Sequence, residues 1–366
     1  MTPQGIATVA RQEFRLRIRA GRWRWLLAAF FLVLLAFTAL LRAGLSNLPP
    51  EELPYKGTVI YGGLMLFVLG LALLVVPALA AQSVNGDRER GTLAVLQVTR
   101  LSAGDIAVGK LAAAWGTALV FLALTAPLVG YAMTQDGVPL GRVVVVTVVL
   151  ALLLGTVCAL ALFLSSVLSR TTTSGVLAYL TVFALTIGTL IVFGLATAVT
   201  AERYTVTFEV PCPMEPPPGE PFPPAPDPSV GPPEVCGTDT YETSRSRTDR
   251  TWWLLAPNPF VVLADAAPRL PEPAPGDVQV GPRAADLDPL GQIGRQVRDL
   301  RRTPTPVQTE QPLEPQPLEV HEAGGADPVW PAGLAANVVL GGAALLLTTR
   351  RLRTPTRSLP KGQRVA

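Results

Sequence analysis

Histidine appears once in the 366 residues, at position 321, and cysteine three times. Three cysteines are too few for a disulfide-built scaffold, and no His or Cys pair stands at a metal-ligand spacing. His321 sits among Glu319, Glu322 and glycines and reads as a solvated loop residue. Charge is scarce too: Asp, Glu, Lys and Arg make up 16 % of the chain, against about 25 % in a soluble domain. That deficit, with 49 % hydrophobic residues and a mean hydropathy of +0.39, favours a membrane protein. There is no acid–base pair and no Ser/His/Asp set, so enzymatic chemistry finds no footing, and nothing implies a cofactor on this chain. A polybasic, aromatic-interleaved surface is missing as well, which argues against nucleic acid.

What is present is a series of apolar runs. Trp23–Leu41, Val59–Ala81, Val108–Met133, Val143–Leu168, Gly175–Val199 and Ala332–Thr349 each approach the length that crosses about 30 Å of hydrocarbon at about 1.5 Å per residue. Their middle thirds carry no charge, whereas ion-coupled carriers place ionisable groups there, so an ion-coupled carrier is disfavoured and energy must enter from elsewhere. The sequence predicts an all-α polytopic membrane protein with six spans. A signal peptide at the first run is the competing reading, disfavoured by the length of the leader and the runs that follow.

Orientation follows from where the arginines lie. Six of them (11, 15, 17, 19, 22 and 24) precede the first run, and residues 350–366 hold five arginines, one lysine and no acid. The positive-inside tendency puts both ends in the cytoplasm of a plasma-membrane protein. Residues 1–22 then form either a basic amphipathic helix lying on the membrane surface or simply a positively charged flank. Residues 23–199 contain spans one to five with a polar elbow at 82–107, and 332–349 is the sixth span. Residues 200–331 form an acidic extracytoplasmic segment with 10 Arg against 20 Asp and Glu.

Most of the 36 prolines lie in that outer segment, which denies the backbone its ladder bonds and favours polyproline II. Little regular structure is expected from 211 to 250. Cys212 and Cys236 flank this stretch. They either pair, closing a loop worth about 3 kcal/mol in the chain-entropy model, or remain two free thiols. Residues 251–265, TWWLLAPNPFVVLAD, are apolar but short and broken by Pro257 and Pro259, as an interfacial or re-entrant hairpin would be. Residues 289–302 read as a solvated or surface-lying basic amphipathic helix.

The polar elbow carries the information about function. Between the second and third runs stand Asp87, Arg88, Glu89, Arg90, Arg100, Asp105 and Lys110, with a short amphipathic piece at Thr92–Val98. Gly104 to Lys110 fits the spacing of a phosphate loop, but Leu111 stands where Ser or Thr should ligate Mg²⁺, no strand precedes it, and a span follows. Ser102 and Asp105 read instead as a capping box opening the third span, with Lys110 near the interface.

Glu89-Arg90-Gly91-Thr92-Leu93, with Leu96, Ser102, Asp105, Ile106, Gly109 and Lys110, resembles the permeases of ABC-2 type transporters. The likeness extends to the six-span order, the basic N-terminal helix and the Asn258-Pro259-Phe260 element. Two departures are visible: Arg100-Leu101 replace a usual proline before the serine, and the outer loop is longer and richer in proline. The resemblance implies a coupling helix between spans two and three, with Glu89, Arg90, Gly91, Thr92, Leu93, Leu96, Asp105 and Lys110 passing force from an ATPase. It implies two copies of that ATPase subunit holding ATP and Mg, a homodimer or a paralogous permease partner, membrane lipid around the spans, and export as the direction. The alternative is a membrane-anchored envelope interaction protein acting through its outer loop.

Overall fold

The computed structural model describes residues 2–19, 21–46, 56–91, 101–135, 137–211, 235–268, 288–301 and 327–353. Among them, six helices are long and apolar enough to cross a membrane: Trp23–Ser46, Lys56–Glu89, Ala103–Met133, Leu140–Val167, Thr171–Val199 and Trp330–Leu352. In chain order the elements are α1 (Pro3–Arg19), α2 (Arg22–Ser46), α3 (Lys56–Ala80), α4 (Asn85–Glu89), α5 (Ala103–Ala123), α6 (Ala126–Met133), α7 (Leu140–Val167) and α8 (Thr171–Phe183). A π-turn, Ala184–Gly188, leads into α9 (Thr189–Val199). There follow β1 (Glu202–Pro211), β2 (Val235–Arg245), α10 (Thr248–Thr251), α11 (Pro259–Ala266), α12 (Pro289–Asp299) and α13 (Trp330–Leu352).

The core lies where α3, α5 and α7 meet. Leu64, Met65, Val68 and Leu69 of α3 pack with Phe121 of α5 and with Val146, Leu150, Leu153 and Leu154 of α7, all buried. Apolar residues occur all round these helices, as they must when every face meets protein or lipid. The first and fifth spans are peripheral: only 17 % and 6 % of their apolar windows are buried, against 50–56 % for spans two to four.

Two expectations about the outer segment need correcting. Within 211–250, where little regular structure is expected, the described residues 235–245 form a strand, and the described chain is mostly rather than wholly helical. β1 and β2 form an antiparallel ladder from Glu202↔Arg245 to Val210↔Gly237, with a register shift at Val210/Pro211. The run Thr205-Val206-Thr207-Phe208-Glu209-Val210 is β-branched and alternating, a strand former that the neighbouring prolines obscured. Arg247 holds the foot of the ladder, donating to Glu202 at 2.8 Å and to Asp249 at 3.0 Å. The hydrogen bonds from Arg247 hold the Asp249 carboxyl below the usual carboxylate range. The pairing of Cys212 with Cys236 lies outside the described residues.

α12 is not a solvated helix. Its Leu290, Gly294 and Val297 are buried, and it packs on α11 and the adjacent end of α3. α11 starts where Asn258 accepts from the Phe260 amide at 2.9 Å, with Pro259 at the first helical position. The Asn258 amide group donates to the Thr186 carbonyl at 2.8 Å and to Thr189 Oγ1 at 2.9 Å. Those residues lie in and beside the π-turn, whose wider winding frees carbonyls from the helical ladder.

Candidate functional site

The second span breaks at residues 81–84, between the end of α3 and the start of α4. A break in an apolar bundle exposes backbone groups that must find partners, and three neighbouring spans supply them. Ser165 Oγ of α7 accepts from the amides of Val84 and Asn85, each at 3.1 Å. Ser174 Oγ of α8 donates to the Ala81 carbonyl at 2.9 Å. Lys110 Nζ of α5 donates to the Ser83 carbonyl at 3.0 Å. The break is therefore held by side chains of spans three, four and five.

Lys110 does more than fill that carbonyl. Its side chain is 0 % exposed and forms ion pairs with Glu13 of α1 and Asp87 of α4. The side chain is fully buried beneath the elbow. A cation here is tolerable because two carboxylates and a carbonyl surround it. One ammonium group joins the N-terminal helix, the broken second span and the third span.

Asp105 performs a parallel task at the start of α5. Ser102 Oγ accepts from the Asp105 amide at 3.1 Å, and Asp105 Oδ2 accepts from the Ser102 amide at 3.0 Å, completing a capping box. Asp105 Oδ1 also accepts from the Thr2 amide at 2.8 Å. Farther on, Arg17 Nη1 donates to Thr117 Oγ1 at 3.3 Å.

These contacts fix the course of α1. Thr2 meets Asp105, Glu13 meets Lys110 and Arg17 meets Thr117, so α1 runs alongside the third span instead of across it. α1 is packed lengthwise on α5. Gly109 permits the approach: a Cβ there would stand 2.6 Å from Val9 Cβ and 3.1 Å from the Ile6 carbonyl. Gly109→Leu is expected to lift α1 from α5 while leaving the six spans inserted. A disulfide cross-link engineered between residues 2 and 105 would then fall to a small fraction of its wild-type yield.

The other elbow residues take separate roles. Arg90 Nη2 donates to Asp87 Oδ1 at 3.0 Å, curling over Gly86. Glu89 Oε1 accepts from the Thr171 amide at 3.2 Å, which places a carboxylate at the N-terminus of the fifth span, where the helix dipole favours it. Glu89 and Arg90 thus make charge-assisted bonds to different partners. Gly91 has φ +71°, a conformation open to glycine at little cost, and it ends the α4 turn. Thr92, Leu93 and Leu96, with the short helix expected around them, lie outside the described residues.

Sequence reasoning did not single out Glu13 or Ser165. Glu13 is the one carboxylate in the first fifty residues and stands among arginines; that isolation is a usable signal. Ser165 inside an apolar run carries none.

A second polar centre lies at the opposite end of the bundle. Asp265 of α11, side chain fully buried, pairs with Arg298 of α12 and accepts from the Val329 and Trp330 amides at 2.6 and 2.7 Å. Arg142 of α7 pairs with Asp288, the residue before α12, and donates to the Pro268 carbonyl at 2.8 Å. Both pairs tie the outer elements to the spans. Among the described residues no three His, Cys, Asp or Glu side chains converge as metal ligands.

A bundle of six apolar helices, with its second helix broken and held by buried charge, defines a polytopic membrane protein built around a polar elbow. The family described as ABC-2 family transporter protein matches residues 7–207, more than half of the chain, and covers the N-terminal helix, the elbow and five spans. The chain belongs to that family, as a transmembrane permease and not as the ATPase. Permeases of this family generally work with an ABC ATPase partner. No curated protein matches the chain.

Proposed function

We propose that this chain is the membrane half of an ATP-driven exporter, working as a dimer with a like or paralogous permease and two separate ATPase subunits. The elbow faces the cytosol of the plasma membrane, in keeping with the arginines at both ends of the chain. ATP binding closes the ATPases against the segment following Gly91, and the elbow passes the push to the spans. The observation that carries this reading is the buried Lys110 with its bonds to Glu13, Asp87 and the Ser83 carbonyl. A force applied to α4 reaches α1 and the third span through one side chain, and reaches spans four and five through Ser165, Ser174 and Glu89. Export as the direction rests on family resemblance.

The test uses the permease co-purified with its ATPase in lipid nanodiscs. Glu89→Ala removes the carboxylate from the start of the fifth span, and Thr92→Pro takes away the Thr92 hydroxyl and amide donor and fixes φ where the segment after Gly91 begins. Both are expected to leave insertion and ATPase binding intact while cutting the coupling of hydrolysis to transport by about tenfold, the factor set by losing about 1.4 kcal/mol of coupling. Wild-type coupling in both variants would remove the elbow from the mechanism.

A further inference from the structure

Arginines 11, 15 and 19 stand four residues apart on α1, hence on one face of the helix. That face is turned away from α5, and all three side chains are exposed. Glu13 is taken by Lys110, and Arg17 points inward to Thr117. No carboxylate among the described residues pairs with Arg11, Arg15, Arg19 or Arg24. Two open grooves follow this row and meet at Arg19. One is lined by Thr8, Arg11, Gln12, Arg15 and Leu16. The other runs past Ile18 and Gly21 to Arg24, Trp25 and Ala28 of the first span.

The place of the grooves narrows what fills them. The third span has 31 residues, about 46 Å of helix, whereas the hydrocarbon takes about 30 Å. α1 flanks the elbow-end portion of that helix, and its arginine row runs on to Arg24 and Trp25 at the start of the first span, where interfacial residues gather. Its far wall is the first span, where Trp25 is 79 % exposed, and Leu16 and Ile18 are exposed beside it. Unpaired guanidiniums at this depth need anions that arrive with an apolar body attached.

We propose that the Arg11–Arg15–Arg19 face, continued by Arg24 and Trp25, binds the phosphate of anionic phospholipids, with the acyl chains lying along Leu16, Ile18 and Trp25. Guanidinium forks suit phosphate oxygens, and the helical row offers successive positions down which a headgroup moves. The site goes beyond the transport reading and needs no ATPase to be occupied.

The experiment reconstitutes the full chain in vesicles containing brominated phosphatidylglycerol or brominated phosphatidylcholine and reads quenching of tryptophan fluorescence, with Trp25→Phe isolating the Trp25 contribution. The Trp25 signal should show about tenfold preference for the anionic lipid, on the scale expected for several arginines near a charged surface. The triple variant Arg11→Gln, Arg15→Gln, Arg19→Gln should lose that preference, and the triple Lys variant should keep a part of it, which separates charge loss from misfolding. Added glycerol phosphate should compete weakly, because it lacks the chains; full displacement by it would make this a free-phosphate site and overturn the lipid assignment. Equal quenching by both lipids, or a preference that survives the Gln variant, would also overturn it. So would loss of ATPase co-purification in the Gln variant with the lipid preference intact, since the face would then be a protein-docking surface.

Discussion

Lys110→Met is expected to lower the stability of the detergent-solubilised protein by about 3–5 kcal/mol, the range for removing one partner of a buried charge cluster. Methionine keeps the length and apolar stem but takes the buried ammonium away from Glu13 and Asp87, leaving Asp87 its bond from Arg90. The Ser83 carbonyl loses its donor in the same step. The measurement is the midpoint of denaturation in a detergent titration, read by the loss of helical signal. Adding Glu13→Gln and Asp87→Asn to the variant neutralises the two carboxylates that lost the ammonium and should restore much of the midpoint. Coupling to a partner should stay lost in the restored protein, because the polar tie between α1, α4 and α5 is gone. A Lys110→Met midpoint equal to wild type would show that the cluster is not the fastening described above.

Asp265→Ala is expected to have an effect of similar size at the other end. The carboxylate is buried and serves Arg298 and two backbone amides at the start of the sixth span. Its removal leaves a guanidinium and two N–H groups short of an acceptor, for about 3–5 kcal/mol by the same physics. Asp265→Asn keeps one oxygen for the amides and should fall between Ala and wild type. Arg298→Met should cost less than Asp265→Ala, since the carboxylate retains the Val329 and Trp330 amides. The order Ala, Asn, wild type in denaturation midpoint is the check. An Ala variant as stable as wild type would mean that the first turn of α13 finds its acceptors elsewhere.

Much of the architecture was legible because apolar length is a local property. The six runs read from the sequence overlap the six helices observed, with ends shifted by a few residues. The capping box at Ser102 and Asp105 was legible for the same reason, as its donors and acceptors lie three residues apart. The near-match to a phosphate loop also resolves: Gly109 is needed for the contact with Val9, and Lys110 is the centre of an ion cluster. What was not legible depends on partners distant in the chain. Lys110 reaches back 97 residues to Glu13, and no pattern within a single helix announces such a pair. The packing of α1 on α5 was not legible, because basic amphipathic character does not say which element its apolar face meets. The strand pair was hidden by the prolines around it, and the burial of α12 depends on α11, whose position is set by Asn258 and the π-turn.

Buried ion pairs sit at both ends of the spans, and the stretch between them is apolar. Greasy surfaces slide past one another at small cost, but a charge withdrawn from its counter-ion inside the bundle does not. A piston stroke of the second or third span by one helical turn, about 5.4 Å, would tear open the Lys110 cluster. The Lys110 cluster therefore resists sliding of the second span along the third, and the pairs at Asp265 and Asp288 resist it at the other end.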